Sequence, residues 1–143
     1  METKTVTLLV VDDDEIDREA ILRSIRKERI SNPVETAGDG VEALAKLRGV
    51  DGHEAIGRPA IIILDWKMPR MNGLEFLEEL RADPDLRETV VFVLTTSYDE
   101  TDIIDAYRNL VAGYIVKDSA GQDFINLIQF LDAYWRVVEL PPG

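Results

Sequence analysis

Five short apolar runs, separated by segments in which apolar residues recur every three or four positions, limit what this chain can fold into more than any other feature. The runs are Thr7 to Val11, Val34 to Ala37, Ala60 to Leu64, Val90 to Leu94 and Tyr114 to Val116. They are rich in Val, Ile and Leu and mostly lack polar alternation, the pattern of strands in a parallel sheet covered on both faces. Between them a helical period is carried by Ile16, Ala20, Ile21 and Ile25, then by Val41, Leu44 and Leu47, then by Leu74, Leu77 and Leu80. Two further segments show it at Ile103, Ile104, Tyr107 and Leu110, and at Phe124, Ile128, Leu131 and Trp135. Alternation of five strands with five helices predicts an α/β fold, a doubly wound sheet with helices on both faces. Turn-forming residues fall at the joints: Ser31-Asn32-Pro33 is expected to stop the first helix, Gly38-Asp39-Gly40 to lead into the second, and Asp83-Pro84 to close the third. The stretch Gly49 to Pro59 is the one long connection and reads as an exposed loop, with His53 solvated inside it.

A chain of 143 residues that is 45% hydrophobic fills one core rather than two, so a single domain over residues 1–143 is expected, with no output domain. The absence of Cys excludes disulfides, thiolate nucleophiles and Cys-ligated metals. Met1 to Thr7 is charged where a signal peptide needs an apolar stretch, and the apolar runs are only of strand length, so a cytoplasmic protein without a membrane partner is expected. A net charge of −12 repels phosphate backbones and argues against nucleic acid as a partner.

In an open α/β sheet the working residues lie beyond the carboxyl ends of the strands. That rule selects Asp12, Asp13 and Asp14 after the first run, Asp65 after the third, Thr95 and Thr96 at the fourth, and Lys117 after the fifth. Carboxylates gathered at one edge repel one another unless some stay protonated or a hard cation neutralises them, and Mg²⁺ suits such oxygen donors. The same acids also make good helix caps, and Asp14 is open to that reading alone. Asp65, ending an all-apolar strand, is the candidate nucleophile for an aspartyl-phosphate. Lys117, the Thr95 hydroxyl and the metal would then share the charge on the transferred group. A strand-end Lys is usually solvated and a strand-end Thr often reflects β propensity, so only the four-part constellation is specific.

These segments resemble the receiver domains of two-component response regulators. The likeness is carried by Leu8 to Asp14, by Asp65-Trp66-Lys67-Met68-Pro69 with Asn72-Gly73, by Val93 to Ser97, and by Gly113 to Lys117. The intervals are similar too, at 30 residues from Asp65 to Thr95 and 22 from Thr95 to Lys117. The resemblance implies a flavodoxin-like parallel sheet in the order 2-1-3-4-5, with Asp65 phosphorylated by a histidine kinase or a histidine phosphotransfer protein. It implies Mg²⁺ held by the side chains of Asp13 and Asp65 and the backbone carbonyl of Lys67, with Asp12 in support. It also implies a switch pair, Thr95 and Tyr114, that remodels the fourth helix, fifth strand and fifth helix; the residues alone leave Tyr114 equally open to a half-buried aromatic. Three features depart from the pattern: Asp118 stands where a Pro commonly follows the strand-five Lys, Trp66 is large and could restrict the acceptor, and the Gly49 to Pro59 connection is long. Asp83 to Arg87, Leu94 to Ser97, and the stretch through Tyr134-Trp135 to Leu140-Pro141 are similar to the small regulators of phytochrome-type kinases.

An aspartyl phosphatase of the haloacid-dehalogenase class is a rival that needs a second Asp two residues after the nucleophile, where this chain has Lys67. The protein is therefore expected to be a phosphoacceptor rather than an enzyme; a terminal regulator, a relay carrier and a phosphate sink remain alternatives. An apolar tail over about 136–143, with Phe130, Tyr134, Trp135, Val137, Val138 and Leu140 close by, predicts a homodimer through the last helix and tail, against folding back over the domain's own edge.

Overall fold

Each apolar run becomes a strand because helices cover both of its faces, and β1 (Thr7–Val11) and β3 (Ala60–Leu64) are buried at every position. The computed structural model describes residues 5–117 and 122–141, with the backbone alone for residues 122–125. Along the chain these strands alternate with α1 (Glu15–Lys27), β2 (Val34–Ala37), α2 (Gly40–Arg48), α3 (Gly73–Ala82), β4 (Val90–Thr95), α4 (Glu100–Arg108), β5 (Gly113–Val116) and α5 (Gln122–Val137). All strand pairs are parallel, in the order β2-β1-β3-β4-β5, which is the doubly wound order anticipated.

Strand periodicity sorts the core into two layers. Leu9, Val11, Ile62, Leu64, Val91 and Val93 face α2, α3 and α4 and pack with Leu44, Leu47, Phe76 and Leu80. Leu8, Val10, Ile61, Ile63, Phe92 and Leu94 point the other way, onto Ile21 and Ile25 of α1 and Leu127, Ile128 and Leu131 of α5. Among the described residues no helix is long and apolar enough to cross a membrane.

Helix entry is set by side-chain caps. Asp14, Asp39, Asn72 and Asp99 each accept backbone N–H bonds at the starts of α1, α2, α3 and α4, and Asn72 forms a reciprocal capping box with Glu75. These starts all stand at the carboxyl edge of the sheet, beside the strand ends that bear the polar residues.

Several local expectations change. The first helix ends before Ser31-Asn32-Pro33: Arg29 adopts a left-handed φ of 56°, and Ile30 N–H returns to Ile25 O at 3.2 Å while Arg29 N–H meets Arg26 O at 3.0 Å. This double return terminates the helix at Lys27 before the Pro is reached. The Gly49 to Pro59 connection is mostly exposed, yet Ile56 is buried in the core and its N–H bonds to Lys46 O, so the loop is pinned in its second half. Ile16 and Val41 lie on the solvent side; on α4 Ile104 and Tyr107 are exposed while Ala106 is buried, and Leu110, in the turn after the helix, is exposed too. Periodicity identifies residues that share a face, and α4 lies over the sheet edge, where little exists to cover that face.

The tail divides. Tyr134, Trp135 and Leu140 pack against the domain's own α1–α5 layer, whereas Phe130, Val137 and Val138 are exposed. The peptide after Lys117, where Asp118 replaces the usual Pro, lies outside the described residues.

Arg81 joins α3 to the far end of α4 and to the approach to β4. Its guanidinium donates to the carbonyls of Asn109 (2.7 Å), Arg87 (2.8 Å), Thr89 (2.8 Å) and Leu110 (3.1 Å), and burial lowers its pKa. Arg81→Ala is expected to cost about 2–4 kcal/mol in urea unfolding, because the carbonyls lose charge-assisted donors. Arg81→Lys should recover only part of this, since an ammonium cannot span the same set of acceptors. A loss for the Ala variant below about 0.5 kcal/mol would place Arg81 with ordinary surface residues.

Candidate functional site

The site begins where the β1 and β3 ladders end. Asp12 N–H donates to Ala37 O (3.0 Å) and Asp65 N–H to Val11 O (2.8 Å), so backbone pairing carries both residues one step past their strands and side by side. Asp13 follows on the exposed side. Carboxylate oxygens of Asp12, Asp13 and Asp65 all lie within 4.8 Å of one another. Asp14 is outside this group, and its carboxylate caps α1 by accepting from the N–H groups of Ile16 and Asp17. That settles Asp14 as a cap.

Further contacts fix the orientation of the acids. Trp66 N–H donates to Asp65 Oδ1 at 2.8 Å, Asp14 N–H to Asp12 Oδ1 at 2.9 Å, and Arg18 Nη1 to the Asp12 carbonyl at 2.5 Å. Gly73 lets α3 start directly beneath the acceptor: a Cβ there would fall 2.9 Å from Asp65 O and 2.8 Å from the Trp66 ring. The Trp66 side chain is buried in the core, 5% exposed, so it supports the loop from below and does not cover Asp65 as its size had suggested. Lys67, by contrast, points its side chain to solvent.

Lys117 N–H donates to Thr95 O at 2.7 Å, which aligns the ends of β4 and β5. Its ammonium is directed inward to Asp12 Oδ2 (2.9 Å) and to Asp17 Oδ2 on α1 (2.7 Å). Burial alone would lower the Lys117 pKa, but the hydrogen bonds it donates to these two carboxylates outweigh burial and hold the pKa above the ordinary value. Asp12 responds in the opposite sense for an acid: burial pushes its carboxyl up to about 6, aided by the charge of Asp65 and opposed by Lys117 and the Asp14 N–H. A buried acid that ionises with difficulty beside two others is the donor set that a hard divalent cation relieves. On this ground the residues fit Mg²⁺ or a similar ion.

Thr95 is buried at the end of β4, and its hydroxyl oxygen receives the Ser97 N–H at 3.4 Å. Tyr114 is half-buried, edge-on to Trp66 at 6.4 Å between centroids, and its hydroxyl donates to Ser97 O at 2.8 Å. Burial raises the Tyr114 pKa, so the phenol remains a donor at neutral pH. Ser97 in turn donates from its hydroxyl to Asp102 on α4 (2.6 Å). Thr95 and Tyr114 therefore meet the same loop, at Ser97.

The sequence reading missed two participants, Asp17 and Arg18. Asp17 stands in the first turn of α1, three residues after the cap, and an acid there reads as an ordinary partner of the helix dipole. Nothing local in the sequence marks it as the partner of a Lys a hundred positions away.

Comparison with known proteins agrees with this geometry. The family model described as the response regulator receiver domain matches residues 8–129. Response regulator Rcp1 of Synechocystis sp. is 32% identical over 135 residues, covering 94% of this chain and 92% of the relative. The crystal structure of the phosphorylated cyanobacterial phytochrome response regulator RcpA aligns with a TM-score of 0.87 at 30% identity, over 96% of this chain and 99% of that one. The Mn²⁺-bound form of Rcp1 aligns with a TM-score of 0.83 at 32% identity, over 94% and 98% of the two chains. Receiver domains are signalling proteins, and the matched span runs from the first strand into the last helix and takes in each of the strand ends just described. This chain belongs to the response regulator receiver domain family.

Proposed function

We propose that the chain is a phosphoaccepting response regulator in which Asp65 takes the phosphoryl group of a phosphohistidine on a histidine kinase or a histidine phosphotransfer protein. The observation that carries this reading is the convergence of the Asp12, Asp13 and Asp65 carboxylates within 4.8 Å of one another, with the Lys117 ammonium 2.9 Å from Asp12. In the transfer, an Asp65 oxygen forms the new bond to phosphorus as the bond to the donor's imidazole nitrogen breaks. Asp13, Asp65 and the backbone carbonyl of Lys67 would hold Mg²⁺, with Asp12 behind them. The cation supplies neutralisation of phosphoryl charge. The Thr95 hydroxyl and Lys117 would take the remaining phosphoryl oxygens. Movement of Thr95 toward them pulls on the Ser97 segment that Tyr114 grips, which transmits the event to α4, β5 and α5.

The likeness to Rcp1 and RcpA, the second a phytochrome response regulator by name, supports a phytochrome-type histidine kinase as the partner. Phosphotransfer from labelled candidate kinases tests the function. Label should appear on this chain with one kinase far sooner than with the others, and its absence with every kinase and with acetyl phosphate would remove the reading.

Homodimerisation is part of the same proposal. Exposed Ile104, Tyr107, Leu110, Val116 and Phe130 sit on α4, β5 and α5 and the joint between them, next to exposed Val137 and Val138. Light scattering is expected to give twice the chain mass at tens of micromolar, falling to one for a chain truncated after Tyr134. A full-length protein of single mass with and without acetyl phosphate would eliminate the dimer.

A further inference from the structure

The Lys117 ammonium lies nearer to Asp17 than to Asp12, at 2.7 against 2.9 Å. Asp17 has no part in the phosphoryl chemistry outlined above. An ammonium has three N–H donors, and here two of them end on carboxylates. The two acceptors differ in one physical respect. The Asp12 side chain is 3% exposed and also receives the Asp14 N–H, so releasing it would strand a buried carboxylate. The Asp17 side chain is 28% exposed and regains water when it lets go. Its place is also fixed from below, because its own N–H donates to the Asp14 cap at 3.4 Å in the first turn of α1.

A phosphoryl group on Asp65 brings new anionic oxygens to the same edge and draws on the same cation. We propose that Asp17 is a positioning residue that latches the Lys117 ammonium toward α1 in the unphosphorylated chain and competes with the phosphoryl group for it. This inference rests on the reading of Asp65 as the acceptor. Phosphorylation then exchanges one partner of Lys117, freeing Asp17 at the start of α1, and the strength of the latch limits how fully the phosphorylated state is occupied.

The test is the affinity of beryllofluoride, a non-hydrolysing phosphoryl analogue, in saturating Mg²⁺, read by calorimetry on the full chain. Asp17→Asn removes the competing charge while keeping the shape, and is expected to bind about fivefold tighter than wild type, the size of a partly exposed ion pair. Asp17→Glu should return the affinity toward wild type. In a Lys117→Ala background the gain from Asp17→Asn should vanish, since the latch works through Lys117, whereas simple removal of a nearby negative charge would persist. Equal or weaker binding by Asp17→Asn, or a gain that survives without Lys117, overturns the latch and leaves the acceptor reading intact. Failure of the wild-type chain to bind beryllofluoride overturns the acceptor reading, and the latch with it.

Discussion

Asp65→Asn is expected to fold like the wild type and to gain no phosphoryl group from acetyl phosphate and Mg²⁺, while the wild-type mass rises by one phosphoryl unit. The amide matches the carboxylate in shape but offers no nucleophilic oxygen anion to phosphorus. The contacts that build the site survive the change: the Asp65 N–H bond to Val11 O is backbone, and an amide oxygen can still accept the Trp66 N–H now held at 2.8 Å. Losing one of three carboxylates within 4.8 Å also relieves repulsion, so without divalent cation the variant should melt no lower than wild type. Loss of labelling together with an intact melting curve isolates chemistry from folding. A single phosphoryl adduct that persists in the variant would move the acceptor to another residue.

The second large effect is on stability and involves pH and metal together. The Asp12 carboxyl has a pKa near 6 in the fold, above its ordinary value of 3.8, chiefly through burial. The folded chain therefore holds this proton more tightly than the unfolded chain does. Its contribution is fully present below the unfolded pKa of 3.8 and is lost as pH rises through about 6. Without divalent cation, the loss across that window should be on the order of 3 kcal/mol, about 1.4 kcal/mol for each pH unit of the shift. An Asp12→Asn chain, which cannot ionise there, should lack this component. Above the window Mg²⁺ should restore stability, by about 2.7 kcal/mol at a hundredfold excess over its dissociation constant. Below about pH 6 the cation competes with a proton on Asp12, and affinity should fall by up to about tenfold per pH unit. Melting curves at pH 5 and pH 7.5, with and without Mg²⁺, check both halves. A melting temperature indifferent to Mg²⁺, or an Asp13→Ala chain that keeps the wild-type response, would reduce the acidic cluster to a cap and turn.

Much of this molecule is legible in one dimension because a covered parallel strand has little choice of residue. Leu8 to Val11, Ile61 to Leu64 and Val91 to Leu94 are apolar on both faces, and that is visible without neighbours. Once the runs are strands, the topology rule places Asp12, Asp65, Thr95 and Lys117 at one edge, since parallel strands in such a sheet all end there. Element order and the identity of the strand-end acids thus come from local pattern and one geometric rule, whereas the sheet order 2-1-3-4-5 was implied only by the resemblance to receiver domains.

What tertiary structure decided is each fact that depends on which surface faces another. The spacing of Ile103, Ile104 and Tyr107 describes a helix correctly, but the exposure of Ile104 and Tyr107, and of Leu110 just past its end, follows from the place of α4 at the edge of the sheet. Trp66 looked like an obstacle to the acceptor and is a buried support, because the close start of α3 at Gly73 puts the ring under the loop. Tyr114, open between two roles in the sequence, donates its hydroxyl to Ser97 O, a contact that no spacing announced. Leu140 turned back onto its own domain while Val137, three residues earlier, did not. Lys117 was assigned to the edge by sequence, yet its pairing with Asp17 exists only because the packed fold brings the first turn of α1 within 2.7 Å of the ammonium that follows β5. Hydrophobic period is a local property and is written in the order of residues. The partner of a buried charge is set by the packing of elements distant in the chain, and no spacing within either segment encodes it.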